Sequence, residues 1–186
     1  MSTRQVESEL SGRFRTPWGP GTVRVSEGLL VGVELPLVSE SGATAVPSGS
    51  AAPPREAGPV DRAALDRWVG ELEAYFSGDR LSWRAEDIPL EHLAAGPFER
   101  AVYGALLSVP PGVMVSYGTL AEMAGFPRAA RAVGNAMAAN TVPVVIPCHR
   151  VIRADGSLGN YGNDPTWKQR LLAHEWEHTG PVGGGR

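Results

Sequence analysis

The sequence predicts an α/β (α+β) fold: a small N-terminal α/β domain with a β-hairpin and a helix, followed by a mainly helical C-terminal domain containing a helix-turn-helix. Three observations predict it. Apolar residues alternate on either side of a Ser26-Glu27-Gly28 turn, as in a hairpin. Apolar residues recur at helical spacing from Leu65 to Phe76, and two helix-like segments meet across Gly125.

Taken in order, Thr22-Val23-Arg24-Val25 and Leu29 to Leu35 supply the two arms of the hairpin. Residues 39–60 are rich in Ser, Gly, Ala and Pro and too poor in large apolar side chains to pack, which predicts a flexible loop. Asp61 is placed to cap a helix that buries Leu65, Trp68, Val69, Leu72 and Phe76 and ends near Gly78. These elements carry no chemical motif, so a structural N-terminal domain over residues 1–90 is expected.

A C-terminal domain is expected over residues 91–180. It starts with a helix from Pro97, with Phe98, Val102 and Leu106 inward, stopped at Val109-Pro110-Pro111-Gly112. Ser116 is an N-cap for a short helix through Ala124, Gly125 a C-terminal stop, and Pro127 suits the first turn of a second helix to about Asn140. Pro143 to Pro147 reads as a short buried strand delivering Cys148 and His149. Asp164-Pro165 predicts the start of a last helix running to about Trp176, with Trp167, Leu171 and Leu172 inward, and residues 181–186 form a tail.

At 186 residues and 42% hydrophobic, the chain can bury a real core. No apolar run approaches the roughly 18 residues of a membrane span and the first residues are polar, so a soluble cytoplasmic protein with no membrane partner is expected. The single cysteine excludes an internal disulfide framework and fits a reducing compartment.

The net charge of -3 hides segregation: from Met123 to Ala154 there is no acid, while Arg128, Arg131, Arg150 and Arg153 all occur. That window is a candidate phosphate-facing surface, or a solvated face that lacks acids. The second helix sets Arg128 and Arg131 among Ala129, Ala132, Gly134 and Asn135. Small residues allow close approach to nucleic acid, although they equally allow tight helix packing.

A free thiol has a pKa of about 8.5 and is only a few per cent thiolate at neutral pH, so a nucleophilic Cys148 needs a base. His149 and Arg150 adjoin it. Neighbours on an extended chain point to opposite sides, so His149 is expected to reach the sulfur through a turn or a bridging water, and an acid must orient it.

The run Pro147-Cys148-His149-Arg150-Val151-Ile152 follows Arg131-Ala-Val-Gly134 and Asn140. Gly159-Asn160-Tyr161-Gly162 and Leu171-Leu172-Ala173-His174-Glu175 come after it. Together these motifs closely resemble the O6-alkylguanine-DNA alkyltransferase family over roughly Pro97 to Glu175. The resemblance implies single-turnover transfer of an alkyl group from O6-alkylguanine in double-stranded DNA to Cys148, with O4-alkylthymine a second candidate substrate. It implies no cofactor, no metal and no obligate protein partner, and a monomer.

By the same resemblance, His149 draws the thiol proton through a water, Glu175 orients His149, and Asn140 braces the turns around the site. Tyr117 hydrogen-bonds the everted guanine and helps protonate it. Arg131 enters the base stack, Arg128, Ala129, Ala132, Gly134 and Asn135 belong to the second helix, in the minor groove, and Ser116 is a further DNA-binding residue. Pro143, Val151, Tyr161 and Gly162 line the base pocket, with Lys168 near the departing oxygen. Thr141 stands where the family usually has proline, Asn163-Asp164-Pro165 replaces a glycine-rich stretch, and Trp176 stands where glycine is common.

Other readings remain open on sequence. His174-Glu175-Trp176-Glu177-His178 fits a zinc-hydrolase pattern, although the tail offers no clear third ligand. Cys148, His149 and Glu175 could also serve a thiol hydrolase. A damage-binding relative that flips lesions without transfer is a third, against which the presence of Cys148 argues.

Overall fold

The computed structural model describes residues 9–38, 44–45, 58–159, 161–162, 164 and 166–180. The expectations for most of the 39–60 loop, for the 181–186 tail, and for Asn160, Asn163 and Pro165 lie outside the described residues. Two compact units form, Met1–Ala74 and Tyr75–Arg186, so the division falls before the residue-90 boundary read from sequence. No helix among the described residues is long and apolar enough to cross a membrane.

In the first unit, β1 (Leu10–Thr16), β2 (Gly19–Ser26) and β3 (Leu29–Glu34) form an antiparallel sheet in that order. The predicted hairpin is β2–β3. Its two-residue turn has positive φ at both Glu27 (51°) and Gly28 (77°), the conformation that matches strand twist. Strand β1 was not anticipated: it buries Phe14 while Arg13 and Arg15 face solvent. Short β4 (Leu37–Val38) and β5 (Thr44–Ala45) pair antiparallel.

Helix α1 (Pro59–Ser77) begins before Asp61, which therefore does not cap it. The Asp61 carboxylate instead accepts the Gly28 N–H at 2.8 Å, fixing the helix to the hairpin turn. At Gly21 the fully buried Phe14 ring lies so close that an added Cβ would sit 2.2 Å from Cζ. Gly21→Ala is expected to lower stability by about 1–3 kcal/mol through overpacking. Urea denaturation checks this, and an unchanged midpoint would contradict the packing.

The second unit takes the last turn of α1 and continues through a 3-10 turn (Ala85–Asp87), α2 (Leu90–Leu93) and α3 (Pro97–Leu107). Then come β6 (Val115–Ser116), α4 (Tyr117–Met123), α5 (Ala130–Ala139), a 3-10 turn (Cys148–Arg150), β7 (Val151–Ile152) and α6 (Thr166–Thr179). Helix α3 buries Val102, Tyr103, Leu106 and Leu107, and the Tyr103 hydroxyl donates to the Ala136 carbonyl of α5 at 2.9 Å.

Ser116 caps α4 as predicted, accepting the Thr119 N–H at 3.0 Å, and Gly125 turns the chain with φ +84°. Helix α5 starts later than expected. Arg128 has φ +71°, incompatible with a right-handed helix, so Pro127, Arg128 and Ala129 belong to the turn that precedes it.

No strand forms over Pro143–Pro147. Both prolines lack an N–H, Val144 takes φ +76°, and the Ile146 N–H closes onto the Val142 carbonyl at 3.0 Å. Residues 144–147 are buried, as their composition requires, but as a turn. Helix α6 outruns the predicted end at Trp176 because Thr179 Oγ1 and His178 Nδ1 donate to the Glu175 and His174 carbonyls, both at 2.8 Å.

Candidate active site

The site is assembled where the buried Val142–Pro147 turn passes into the Cys148–Arg150 3-10 turn. Asn140, just past the end of α5, holds that passage. Its Oδ1 accepts the Val142 N–H at 3.0 Å, and its Nδ2 donates to the Ile146 carbonyl at 3.0 Å and to Cys148 Sγ at 3.1 Å. One amide thus fixes the turn and aims a donor at sulfur.

The 3-10 turn carries Cys148, His149 and Arg150 in succession. His149 is fully buried and its Nε2 lies 2.7 Å from Glu175 Oε1 on α6. Arg150, counted from sequence among the candidate phosphate-facing arginines, is 1% exposed and belongs to the interior instead. Its Nε and Nη2 donate to Glu175 at 2.8–3.2 Å, and Nη1 and Nη2 to the carbonyls of Val109 (2.6 Å) and Leu81 (2.7 Å). Glu175 also accepts the Tyr75 hydroxyl at 3.0 Å and the Gly112 N–H at 2.8 Å.

Burial by itself would raise the Glu175 carboxyl, but the hydrogen bonds and charges of His149 and Arg150 outweigh it and hold the group well below the ordinary range. The carboxylate therefore accepts, and His149 Nε2 carries the proton. Burial lowers the imidazole, more than Glu175 raises it, so the ring is neutral near pH 7 with its lone pair on Nδ1. That nitrogen is buried with no hydrogen-bond partner among the described residues.

Burial also pushes the Cys148 thiol up, against the Asn140 donor, the Tyr161 hydroxyl and the Lys168 charge, which favour thiolate. Among the described residues the buried Tyr161 hydroxyl has no hydrogen-bond partner, and burial first, then the neighbouring Cys148, push its own pKa up. The arrangement offers a protonated nucleophile, donors ready for its thiolate, and a neutral imidazole oriented by a carboxylate.

Around the sulfur, Tyr117 is half-buried at the start of α4, and an added Cβ on Gly134 of α5 would meet its ring at 4.0 Å. Lys168 is almost fully buried and donates to the carbonyls of Val151 and Leu158; burial lowers its ammonium to about 8. Val151 is buried in β7, paired with Val115 of β6. Pro143 is half-buried in the turn, and Gly162 is exposed with φ +50°.

Ser116 serves α4 as its cap, and Arg128, Arg131, Ala132 and Asn135 are exposed, the last three on α5. No partner of Arg128 or Arg131 occurs among the described residues.

The zinc-hydrolase pattern on α6 is arranged otherwise. His174 Nε2 meets the Tyr75 carbonyl at 2.8 Å, Glu175 is held by His149 and Arg150, and no three His, Cys, Asp or Glu converge as a ligand set among the described residues. Trp176, though 58% exposed, donates from Nε1 to the Gly112 carbonyl at 2.9 Å.

Sequence reasoning missed Arg150, Tyr75 and Gly112 as parts of the Glu175 cluster. The one available signal was the Tyr75-Phe76 pair ending an amphipathic helix, which by itself indicates only packing.

Fold and site together define an α/β protein built around a single buried thiol with a His–Glu–Arg cluster behind it. The 6-O-methylguanine DNA methyltransferase, DNA binding domain family matches residues 97–177. A methylated-DNA--protein-cysteine methyltransferase of Rattus norvegicus is 51% identical over 116 residues, covering 59% of this chain and 54% of the relative. One from Mycolicibacterium paratuberculosis is 46% identical over 111 residues, covering 60% and 65%.

Mycobacterium tuberculosis OGT, solved in complex with DNA, superposes with a TM-score of 0.67 at 31% identity over 90% of this chain and 93% of that one. The chain belongs to the methylated-DNA--protein-cysteine methyltransferase family. Its matched part spans about half to two thirds of the length of those curated relatives.

Proposed function

We propose that the protein repairs DNA by taking the alkyl group from O6-alkylguanine in double-stranded DNA onto Cys148, once per molecule. The observation that carries this reading is the buried thiol bonded to Asn140, beside a neutral His149 whose Nε2 is fixed on Glu175. His149 Nδ1 draws the thiol proton through a bridging water. The thiolate attacks the alkyl carbon, an S–C bond forms as the C–O6 bond breaks, and the electron pair leaves on the guanine oxygen. Tyr117 donates a proton to the departing base, and the proton held by His149 restores it, so the balance is closed.

The O6-alkyl group is hidden in the duplex, so the nucleotide must be everted at a cost of a few kcal/mol. Helices α4 and α5 act as a helix-turn-helix, with α5 in the minor groove, where Ala132 and Gly134 allow close approach and Arg131 fills the vacated stack. Pro143, Val151, Tyr161 and Gly162 line the base pocket. Lys168 tethers the loop from Val151 to Leu158 while its charge favours thiolate. The DNA complex of the tuberculosis OGT supports this DNA-binding reading.

A thioether has no easy hydrolytic exit, so the product stays on the protein. One equivalent of duplex bearing O6-methylguanine is expected to add one methyl mass to the peptide containing Cys148, with none added in Cys148→Ala. Repeated turnover would indicate a thiol hydrolase instead, and transfer surviving in the variant would refute the assignment. A parallel O4-methylthymine duplex reads out the second candidate substrate.

A further inference from the structure

The parallel pair β6–β7 matches Val115 with Val151 and Ser116 with Ile152, so the next residues, Tyr117 and Arg153, leave the ends of neighbouring strands side by side. They stay together. An added Cβ on Gly159 would lie 3.5 Å from Arg153 Nε and 3.8 Å from the Tyr117 hydroxyl, which places both groups around the same point.

The segment bearing Arg153 is tightly held. Arg153 N–H donates to the Ser157 carbonyl at 2.9 Å, Gly156 N–H to the Arg153 carbonyl at 3.0 Å, and Lys168 ties the carbonyls of Val151 and Leu158 from below. The exposed guanidinium has no hydrogen-bond or ion-pair partner among the described residues. Its acidic neighbour Asp155 is engaged by the Ser157 N–H (2.9 Å) and hydroxyl (2.6 Å). Arg15 with Glu73 and Arg24 with Glu9 have carboxylates at 3.0 and 2.8 Å, whereas Arg153 shares its lack of a partner among the described residues with Arg128 and Arg131.

A preplaced, exposed arginine beside Tyr117, which on the proposed mechanism meets the everted base, suits an anion that stays outside while the base goes in. We propose that Arg153 binds a backbone phosphate flanking the everted nucleotide, making the Arg153–Gly156 turn a DNA contact separate from α5. This rests on the DNA-repair reading above. A planar guanidinium matches a phosphate with two parallel N–H donors, and a phosphate contact positions the strand without reading sequence.

The test compares the full chain with Arg153→Gln and Arg153→Lys on two substrates: a duplex bearing one O6-methylguanine, and the free base O6-methylguanine, which carries no phosphate. In Arg153→Gln, duplex affinity at about 100 mM salt is expected to fall about 3- to 10-fold. The slope of log affinity against log salt should flatten by about 0.9, as for one lost phosphate contact. Transfer from duplex at limiting concentration falls in step, transfer from the free base stays within about twofold, and Arg153→Lys keeps most of the slope.

Equal losses on duplex and free base would overturn the proposal, because Arg153 would then act through Tyr117 on the chemistry. An unchanged salt slope would overturn it as well. If the wild-type chain neither binds duplex nor accepts methyl from it, the repair reading itself fails and this one with it.

Discussion

Arg150→Met is expected to lower the unfolding free energy by about 3–5 kcal/mol, because it leaves a buried carboxylate without its main counter-charge. Methionine keeps much of the volume, so the loss is electrostatic. The substitution removes three donor contacts to Glu175 and leaves the carbonyls of Val109 and Leu81 without the donors that Arg150 supplies.

The pH dependence separates this from a packing defect. Because the folded Glu175 carboxyl lies well below its ordinary 4.5, its contribution to stability is complete above about pH 4.5 and is lost as pH falls through the folded value. Without the guanidinium's hydrogen bonds and charge the carboxyl lies higher than in the wild type, so the folded variant protonates at a higher pH. The gap between the two proteins should therefore narrow as pH falls through the variant's higher carboxyl value towards the wild type's lower one. Urea denaturation at neutral pH and in mild acid checks both statements. A gap that stays constant with pH would show that Arg150 acts through its bulk.

Much of the fold was legible because its signals are local. Ser116, Gly125 and Gly78 mark helix ends by properties of single residues, and the β2–β3 turn needs only a pair that tolerates positive φ. Strand β1 carried the same alternation around Phe14, but its polar partners Arg13 and Arg15 hid it. At Pro143–Pro147 composition reported burial correctly and conformation wrongly, because apolar β-branched residues fill a buried turn as well as a strand. Two prolines without N–H groups were the better guide.

In the candidate site, Cys148, His149, Asn140 and Glu175 could be named from motif order, whereas Arg150 could not be placed. An arginine is interior only if its charge and donors are met, and here the partners come from Leu81, Val109 and Glu175, far apart in sequence. Tyr75 and Glu175 are 100 residues apart. Such convergence depends on tertiary packing and leaves no local pattern. The same dependence explains how a residue from an otherwise unmotivated N-terminal helix comes to touch the carboxylate that orients His149.

His149→Gln is expected to slow alkyl transfer by about 10²- to 10⁴-fold at pH 7, the range for loss of a general base. The physical reason is the state of the thiol. Burial raises Cys148 above its ordinary value, so its spontaneous thiolate fraction at neutral pH is below a few per cent. On the proposed mechanism, His149 of the wild type removes the proton as attack proceeds. Its own pKa is depressed below 6.5, so the base is neutral and the rate should be nearly flat from about pH 7 to 8. In the variant only preformed thiolate reacts, so the rate should climb about tenfold per pH unit over the same range. Glutamine still offers a hydrogen-bond donor to Glu175, which limits the structural disturbance, and the melting temperature reports any that remains. Rapid-mixing transfer assays at several pH values decide the matter: a variant whose profile stays as flat as the wild type's would mean that His149 only supports the turn and that Cys148 is deprotonated by another route.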